Sequence, residues 1–233
     1  MIKALLMDFN GVVINDEPIQ HAVYRELFSA EGIDVTDEMY YSRLGMDDKT
    51  FVASILDEAG KPSGIDRVIE LTTAKTQKWR EIVTSEMPLF DGIENFIRKS
   101  ANEFAVGLVS MSRREEIDFV LELTGMVDCF SVIVSAEEVS KCKPDPECYR
   151  KGFEQIDLVR ISQGHLPMTH SECVVIEDSP PGVMAGRAAD LAVLGVANTV
   201  SKGELRKAGA DWVADDLNDW FPASIRGAFA AKI

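Results

Sequence analysis

Short apolar runs without polar alternation recur along this 233-residue chain and predict buried strands. They cover residues 2–7, 104–109, 132–134, 173–176 and 191–196. Because these runs leave no polar face, both faces of each strand should be covered. That arrangement is typical of a parallel sheet packed between helices.

Helical patterns lie between the predicted strands. Residues 113–124 carry apolar side chains at helical spacing and are followed by Gly125, a residue that commonly ends helices. Pro144 and Pro181 each suit the first turn of a further helix, whereas residues 157–171 are interpreted as a long surface loop. Strands alternating with helices predict an α/β fold, a Rossmann-like doubly wound parallel sheet with right-handed crossovers.

One segment, from residue 17 to residue 85, contains no apolar run of strand type. Its amphipathic patterns predict helices over residues 18–30, 47–59 and 65–83. We therefore predict two units: a core made of residues 1–15 and 88–233, and an inserted α-helical cap made of residues 16–87.

Composition and charge narrow the possible classes of function. Hydrophobic residues make up 46% of the chain, enough for a sizeable core, and together with 27% charged residues they exclude a disordered class. The net charge of −15 argues against nucleic acid and anionic membranes as partners, because both require basic patches. The apolar run at the N-terminus is too short for a signal peptide or a membrane span.

Four cysteines are present, and their spacing matches no zinc-binding pattern. They are Cys129, Cys142, Cys148 and Cys173. We expect free thiols in a reducing cytoplasm. The sequence does not reveal the oligomeric state, and we favour a monomer.

Chemistry-bearing side chains follow two of the predicted strands. Asp8 comes directly after the first strand, where the active sites of parallel sheets form, and Gly11 would allow a sharp turn there. Ser110 and Met111 follow the second strand. A hydroxyl and backbone N–H groups at that point could cradle a phosphate, although Ser112 is equally plausible as a helix N-cap.

Two further motifs carry charge. Lys143, just before Pro144, could neutralise a phosphate oxygen and a nearby carboxylate. Glu177 and Asp178 follow the fourth strand, and adjacent carboxylates at the mouth of a buried sheet are costly unless a cation pairs with them. Mg²⁺ prefers carboxylate and carbonyl oxygens, so these acids together with Asp8 suit it.

The order of these motifs along the chain resembles that of the haloacid dehalogenase-like hydrolases. It is similar in particular to the subgroup with a small helical cap, which includes β-phosphoglucomutase, phosphoglycolate phosphatase and related sugar-phosphate phosphatases. The residues that carry the resemblance are Asp8 to Pro18, Ser110, Lys143-Pro144 and Val175 to Gly182.

The resemblance implies a Mg²⁺-dependent phosphatase reaction on a small phosphorylated metabolite. Asp8 would attack phosphorus and carry the phosphoryl group, with Ser110, Met111 and Lys143 binding it. The metal ligands implied are Asp8, the backbone carbonyl of Asn10, and Asp178, with Glu177 holding a metal-bound water.

Asn10 departs from the pattern of the family. Its phosphatases and mutases have Asp at this position, and that Asp protonates the leaving alkoxide and then activates water. An amide cannot do this, and general acid–base help is worth about 10²–10⁴-fold, so turnover should be impaired. We therefore predict that Asn10→Asp raises turnover by roughly 10²-fold or more.

Several alternatives to an ordinary phosphatase stay open on the sequence. The chain could be a non-catalytic phospholigand-binding relative, an engineered inactive variant, or a protein in which deamidation of Asn10 restores a carboxylate. It could also be a hydrolase of another bond. Dehalogenases lack an Asp at this position, and phosphonoacetaldehyde hydrolases use a cap lysine. The cap lysines available here are Lys49, Lys61, Lys75 and Lys78.

Substrate specificity should reside in the cap. Gln20 occupies the position of a histidine in the family, and His21 is adjacent. Gly45, Asp47 and Asp48 lie in the segment where mutases place an arginine that grips a second phosphate. Two acids there should repel a bisphosphate, which favours phosphatase over mutase ancestry.

Overall fold

A computed structural model describes residues 1–218 and 220–230. Its centre is a six-stranded parallel sheet in the order β3-β2-β1-β4-β5-β6. The strands are β1 (Ala4–Met7), β2 (Ala105–Val109), β3 (Val132–Val134), β4 (Cys173–Glu177), β5 (Ala192–Val196) and β6 (Trp212–Ala214). The predicted α/β fold with a doubly wound parallel sheet is confirmed.

Helices connect the strands and follow the last one. They are α1 (Glu17–Ala30), α2 (Asp37–Tyr41), α3 (Asp48–Glu58), α4 (Ile65–Ser85), α5 (Ile93–Ala101), α6 (Arg114–Thr124), α7 (Glu147–Ser162), α8 (Pro180–Ala188), α9 (Lys202–Ala208) and α10 (Pro222–Ala230). Within the described residues, no helix combines the length and the apolar character needed to cross a membrane.

Alternation along β1 explains why the strand runs are wholly apolar. Leu5 and Met7 pack into one hydrophobic cluster, and Ala4 and Leu6 pack into another on the opposite face of the sheet. Each face is covered by helices, so every position of the strand is buried.

The register of the central strands sets the position of the candidate site. In β1, Met7 pairs with Leu108 on one side and with Ile176 on the other. The residues that follow these three positions therefore meet at the same edge of the sheet. This brings Asp8 level with Glu177.

The segment between β1 and β2 is helical as predicted and has a hydrophobic cluster of its own. That cluster includes Phe28, Val52 and Ile55, which are fully buried. The chain passes between the predicted core and cap at two points, near Asn15 and near Pro88. These points lie side by side, because the Asn15 N–H donates to the Pro88 carbonyl at 2.6 Å. Both observations support the division into core and cap, which remains a proposal. Residues 231–233 of the proposed core lie outside the described residues.

The structure corrects two predicted bounds. Helix α7 begins at Glu147 rather than at Pro144, because Asp145 precedes Pro146 and a residue before proline is disfavoured in the helical conformation. The same helix continues to Ser162, so the predicted loop is shorter than residues 157–171. Gly164, with φ of +87°, follows its end.

Candidate active site

Asp8 stands at the carboxyl end of β1 and is held from three directions. Its N–H donates to the Ile176 carbonyl at 2.9 Å, and its Oδ1 accepts the Phe9 N–H at 2.8 Å. The Nζ of Lys143 lies 2.9 Å from the same oxygen. Burial and the neighbouring Glu177 raise the pKa of Asp8 to about 8, against the opposing effect of Lys143.

Three buried carboxylates converge at this edge of the sheet. One oxygen each from Asp8, Glu177 and Asp178 lie within 4.8 Å of one another. Burial, followed by the charges of Glu177 and Asp8, raises the pKa of Asp178 well above its usual range. Such a group of acids is unstable as three bare charges and favours a cation or bound protons.

A glycine makes room for this cluster. Gly11 has φ of +73°, and a Cβ at this position would lie 1.9 Å from Oδ2 of Asp178. The turn after β1 therefore requires glycine both for its left-handed conformation and for the close approach of Asp178.

Lys143 bridges the carboxylates from the opposite side. Its Nζ lies 2.6 Å from Oε1 of Glu177, which also accepts the Tyr149 hydroxyl at 2.7 Å. Burial opposes the charge of Lys143, but Asp8 and Glu177 outweigh it and raise the pKa of its ammonium. Burial likewise opposes the charge of Glu177, and Lys143 reverses this and lowers its pKa. Both groups are therefore ionised at neutral pH.

Asn10 is bound at both ends of its amide. Its Oδ1 accepts the hydroxyls of Ser110 at 3.2 Å and Ser112 at 2.5 Å. Its Nδ2 donates to both carboxylate oxygens of Asp16 at 3.0 Å. The Ser112 hydroxyl thus binds Asn10, while Arg113 occupies the N-cap position of α6 and its side chain makes no capping hydrogen bond.

Asp16 is fully buried and accepts two further donors. The Nε2 of Gln20 lies 3.0 Å away and the indole Nε1 of Trp79 lies 2.8 Å away. Burial raises the pKa of Asp16, while the donors led by Asn10 and the charge of Lys75 oppose that effect. The side chains of Asn10, Gln20 and Trp79 therefore replace the water that a carboxylate would otherwise bind.

The helical segment covers the carboxylates, and a cavity lies between the two. Glu17 and Tyr40 line the cavity, and the Tyr40 hydroxyl donates to Oε2 of Glu17 at 2.6 Å. Asp48 also lines it, but this carboxylate is paired with the buried Lys75 at 3.0 Å and accepts the Tyr24 hydroxyl at 2.5 Å.

The structure brings most of the predicted site residues to this cavity. Those that line it are Asp8, Asn10, Gln20, Gly45, Asp48, Met111, Lys143 and Asp178. Ser110 and Glu177 lie directly behind the wall, where Ser110 binds Asn10 and Glu177 binds Lys143. The structure thus groups every residue that was assigned a catalytic, phosphate-binding or metal-binding role from the sequence.

Two of the predicted specificity residues lie outside the cavity lining. His21 is buried and stacks on Tyr40, with ring centroids 4.6 Å apart. Asp47 caps α3 and accepts the Cys142 thiol at 2.9 Å, so it joins the segment before α3 to the loop before Lys143. These contacts give both residues structural partners that the sequence did not indicate.

Sequence reasoning misses Asp16, which binds Asn10, and Glu17, which lines the same cavity. The sequence indicates no role for either acid, because their partners Trp79 and Tyr40 come from distant parts of the chain. The available signal is the combination of an amide at position 10 with an acid at position 16.

A protein-family model of the haloacid dehalogenase-like hydrolases matches residues 2–190. The chain belongs to this family. The four motifs that carry the resemblance lie together at the candidate site, and the family match makes the chain a haloacid dehalogenase-like hydrolase.

Curated relatives match over almost the whole length. CbbY from Rhodobacter capsulatus is 28% identical over 225 residues, covering 93% of this chain and 94% of the relative. A phosphorylated carbohydrates phosphatase from Thermotoga maritima is 23% identical over 212 residues, covering 90% and 92%.

Solved structures share the fold. β-Phosphoglucomutase from Clostridium difficile matches with a TM-score of 0.85 and 22% identity, covering 100% of this chain and 99% of that one. A mutant CbbY from Rhodobacter sphaeroides, solved in complex with xylulose-(1,5)-bisphosphate, matches with a TM-score of 0.80 and 22% identity, covering 94% and 96%.

Proposed function

We propose that this protein is a Mg²⁺-dependent phosphatase of a small, sugar phosphate-like phosphomonoester, acting through an aspartyl-phosphate at Asp8. The observation that carries the proposal is the setting of Asp8. Its carboxylate opens onto the cavity, lies 2.9 Å from Lys143 and clusters with Glu177 and Asp178.

The residues present fit a magnesium ion. Asp8 and Asp178 would hold it with the backbone carbonyl of Asn10, which accepts no hydrogen bond from any described residue, and Glu177 would hold one of its waters. When bound, Mg²⁺ would offset the repulsion between the carboxylates and the phosphoryl oxygens.

The protein's own groups position the phosphoryl group. Lys143 neutralises one oxygen, and Met111 lies at the cavity wall, where its backbone N–H would bind another. We assign Ser110 to this subsite through its contact with Ser112, whose N–H donates to the Ser110 hydroxyl at 3.0 Å. Asp8 attacks phosphorus, while Asn10 cannot transfer a proton, so proton transfer from this position is lost.

The cap side of the cavity favours a monophosphate with an uncharged leaving group. Arg43 lines the cavity, but its guanidinium is occupied by Ser54, Met39 and Glu58. Lys143 is the one lysine in the lining formed by described residues, so the cap lysines considered for a phosphonate hydrolase lie elsewhere. The curated relative from Thermotoga maritima is named for phosphorylated carbohydrates, which agrees with a sugar-like alcohol here.

The competing class is a non-catalytic phospholigand-binding protein. Rapid-quench mixing with p-nitrophenyl phosphate and Mg²⁺, followed by peptide mass spectrometry, separates the two. We expect an aspartyl-phosphate on the peptide that contains Asp8, and none in Asp8→Asn or without Mg²⁺. Retention of the phosphate ester without phosphorylation would instead establish a binding protein.

We expect this reaction to take place in the cytoplasm, in keeping with four cysteines that form no disulfide. The expected partner is the phosphorylated metabolite alone, without nucleic acid or membrane, and the expected assembly is a monomer.

A further inference from the structure

We propose that Glu17, on the first turn of α1, is the proton carrier that replaces the missing acid at position 10. This inference rests on the proposed phosphatase reaction and adds a catalytic residue to it. Glu17 lines the same cavity as Asp8 and Asn10, and it reaches that cavity from the helical segment rather than from the turn after β1.

The other titratable groups of the cavity are committed elsewhere. Asp8 is the nucleophile, and Asp178 belongs to the metal cluster. Asp48 forms a salt bridge with Lys75 and accepts a hydrogen bond from the Tyr24 hydroxyl. Among the described lining residues, Glu17 is therefore the carboxylate with neither a salt bridge nor a place in the metal cluster.

Tyrosine cannot fill the role. Burial is the main cause that raises the pKa of Tyr24 and of Tyr40 well above the usual tyrosine range, and each hydroxyl already donates to a carboxylate. Lys143 is excluded because its ammonium is bound by Asp8 and Glu177. Glu17 uses one oxygen to accept the Tyr40 hydroxyl, which leaves its second oxygen for a proton.

One carboxyl group can serve both chemical steps. In the first step Asp8 forms a bond to phosphorus, the bond from phosphorus to the alkoxide breaks, and protonated Glu17 gives its proton to the alkoxide. In the second step the Glu17 carboxylate takes a proton from water as that water attacks phosphorus, and the bond to Asp8 breaks. Leaving alkoxide and attacking water use the same apical position opposite Asp8, so Glu17 need not move between the steps.

The surroundings of Glu17 suit a group that both gives and takes a proton near neutral pH. Burial and the charge of Asp16 raise the pKa of Glu17 to about 7, while the Tyr40 hydroxyl and Lys75 oppose that rise. Asp178 lines the same cavity, and the charge of Glu17 contributes to the raised pKa of Asp178. A catalytic acid and base works best with a pKa close to the operating pH.

The decisive measurement follows hydrolysis of the aspartyl-phosphate, because that step does not depend on the identity of the alcohol. Asp8 is phosphorylated with p-nitrophenyl phosphate and Mg²⁺, and the decay of the acyl-phosphate is timed between pH 5 and pH 9. Glu17→Gln keeps an oxygen that can accept the Tyr40 hydroxyl. We expect it to phosphorylate but to lose at least about 10²-fold in the hydrolysis rate, together with the rise of that rate through pH 7.

Tyr40→Phe supplies a second measurement, the pH dependence of acyl-phosphate hydrolysis. If the role of Glu17 were only structural, this substitution would not shift that pH dependence. It removes a donor to the charged form of Glu17, so the pKa of Glu17 should increase and the rising limb of the hydrolysis rate should shift to higher pH. The inference is overturned if Glu17→Gln hydrolyses the acyl-phosphate at the wild-type rate, or if the limb stays unchanged in Tyr40→Phe. Absence of any acyl-phosphate in the wild-type protein would instead refute the proposed function.

Discussion

The amide of Asn10 donates to both carboxylate oxygens of Asp16 at 3.0 Å, and Asp16 has no exposed surface. An aspartate at position 10 would place a second carboxylate at that distance. The pocket is thus built around an amide at position 10, and the acid of the pair resides at position 16. This relationship changes what substitution of Asn10 should do.

We predict that Asn10→Asp alone destabilises the protein, because two buried carboxylates would share one site. The cost should be about 3 kcal/mol or more at neutral pH, the scale of an uncompensated buried charge. Repulsion raises the folded-state pKa of the pair above its unfolded value, so the loss should grow as pH rises above about 4. Urea unfolding at pH 5 and pH 8 measures it, and equal stability of mutant and wild type at pH 8 would contradict the prediction.

The exchange variant Asn10→Asp/Asp16→Asn keeps one acid and one amide in contact and is the matched control. It should recover most of the lost stability, because the number of charges in the pocket is unchanged. In a Glu17→Gln background it should also raise turnover by roughly 10²-fold, since a carboxyl group returns to position 10. A steady-state assay with p-nitrophenyl phosphate tests this, and unchanged turnover would show that a carboxylate at position 10 cannot act in this pocket.

The central sheet and the charged groups at its edge could be predicted from sequence because both depend on local pattern. Apolar runs mark β1 and β4, and Asp8 and Glu177 stand at their ends. Strand β6 escaped prediction because its short run, Trp-Val-Ala, is flanked by Asp211 and Asp215. It lies at the edge of the sheet, where Trp212 is exposed. Partners such as Trp79 for Asp16 were inaccessible because they depend on how distant helices dock.

Substitution of Gly11 tests how much the close contact between Gly11 and Asp178 contributes to stability. Gly11→Ala should cost more than the roughly 1–2 kcal/mol expected for a left-handed alanine, because its Cβ would lie 1.9 Å from Oδ2 of Asp178. It should also abolish any rise in melting temperature caused by Mg²⁺. Gly32→Ala is the control, since Gly32 has a similar φ of +71° with nothing within 4 Å. Equal losses of stability in the two variants would show that a Cβ at position 11 does not clash with Asp178.

A buried ion pair joins α4 to α6. Nζ of Lys75 lies 3.1 Å from Oε2 of Glu116, and both side chains are about 1% exposed. Lys75→Met should cost about 3–5 kcal/mol, because it leaves the buried carboxylate of Glu116 and the half-buried carboxylate of Asp48 without a cation.

Glu116→Gln is the milder change of the two. It can keep the bond from the Thr76 hydroxyl, now 2.6 Å from Oε1, and Lys75 retains Asp48. Guanidinium unfolding of both variants and of the double variant gives the coupling energy. A loss in Lys75→Met no greater than that in Glu116→Gln would show that the ion pair contributes little.

Magnesium binding should be linked to protons. In the metal-free protein burial and Glu177 raise the pKa of Asp8 to about 8, against an unfolded value of 3.8. The folded state therefore holds a proton that the unfolded state has lost, and the metal-free protein should lose stability as pH rises from about 4 to 8. Binding of Mg²⁺ requires the ionised carboxylate, so it should release protons at pH 7 and remove that loss.

Calorimetric titration with MgCl₂ in two buffers of different ionisation enthalpy counts the protons released. Melting temperatures with and without Mg²⁺ should diverge as pH increases, since the ion stabilises only the folded state. Asp178→Asn should abolish both effects, because it removes a ligand while keeping the shape of the side chain. If Mg²⁺ at millimolar concentration raises the melting temperature of Asp178→Asn as much as that of the wild-type protein, Asp178 is not a ligand.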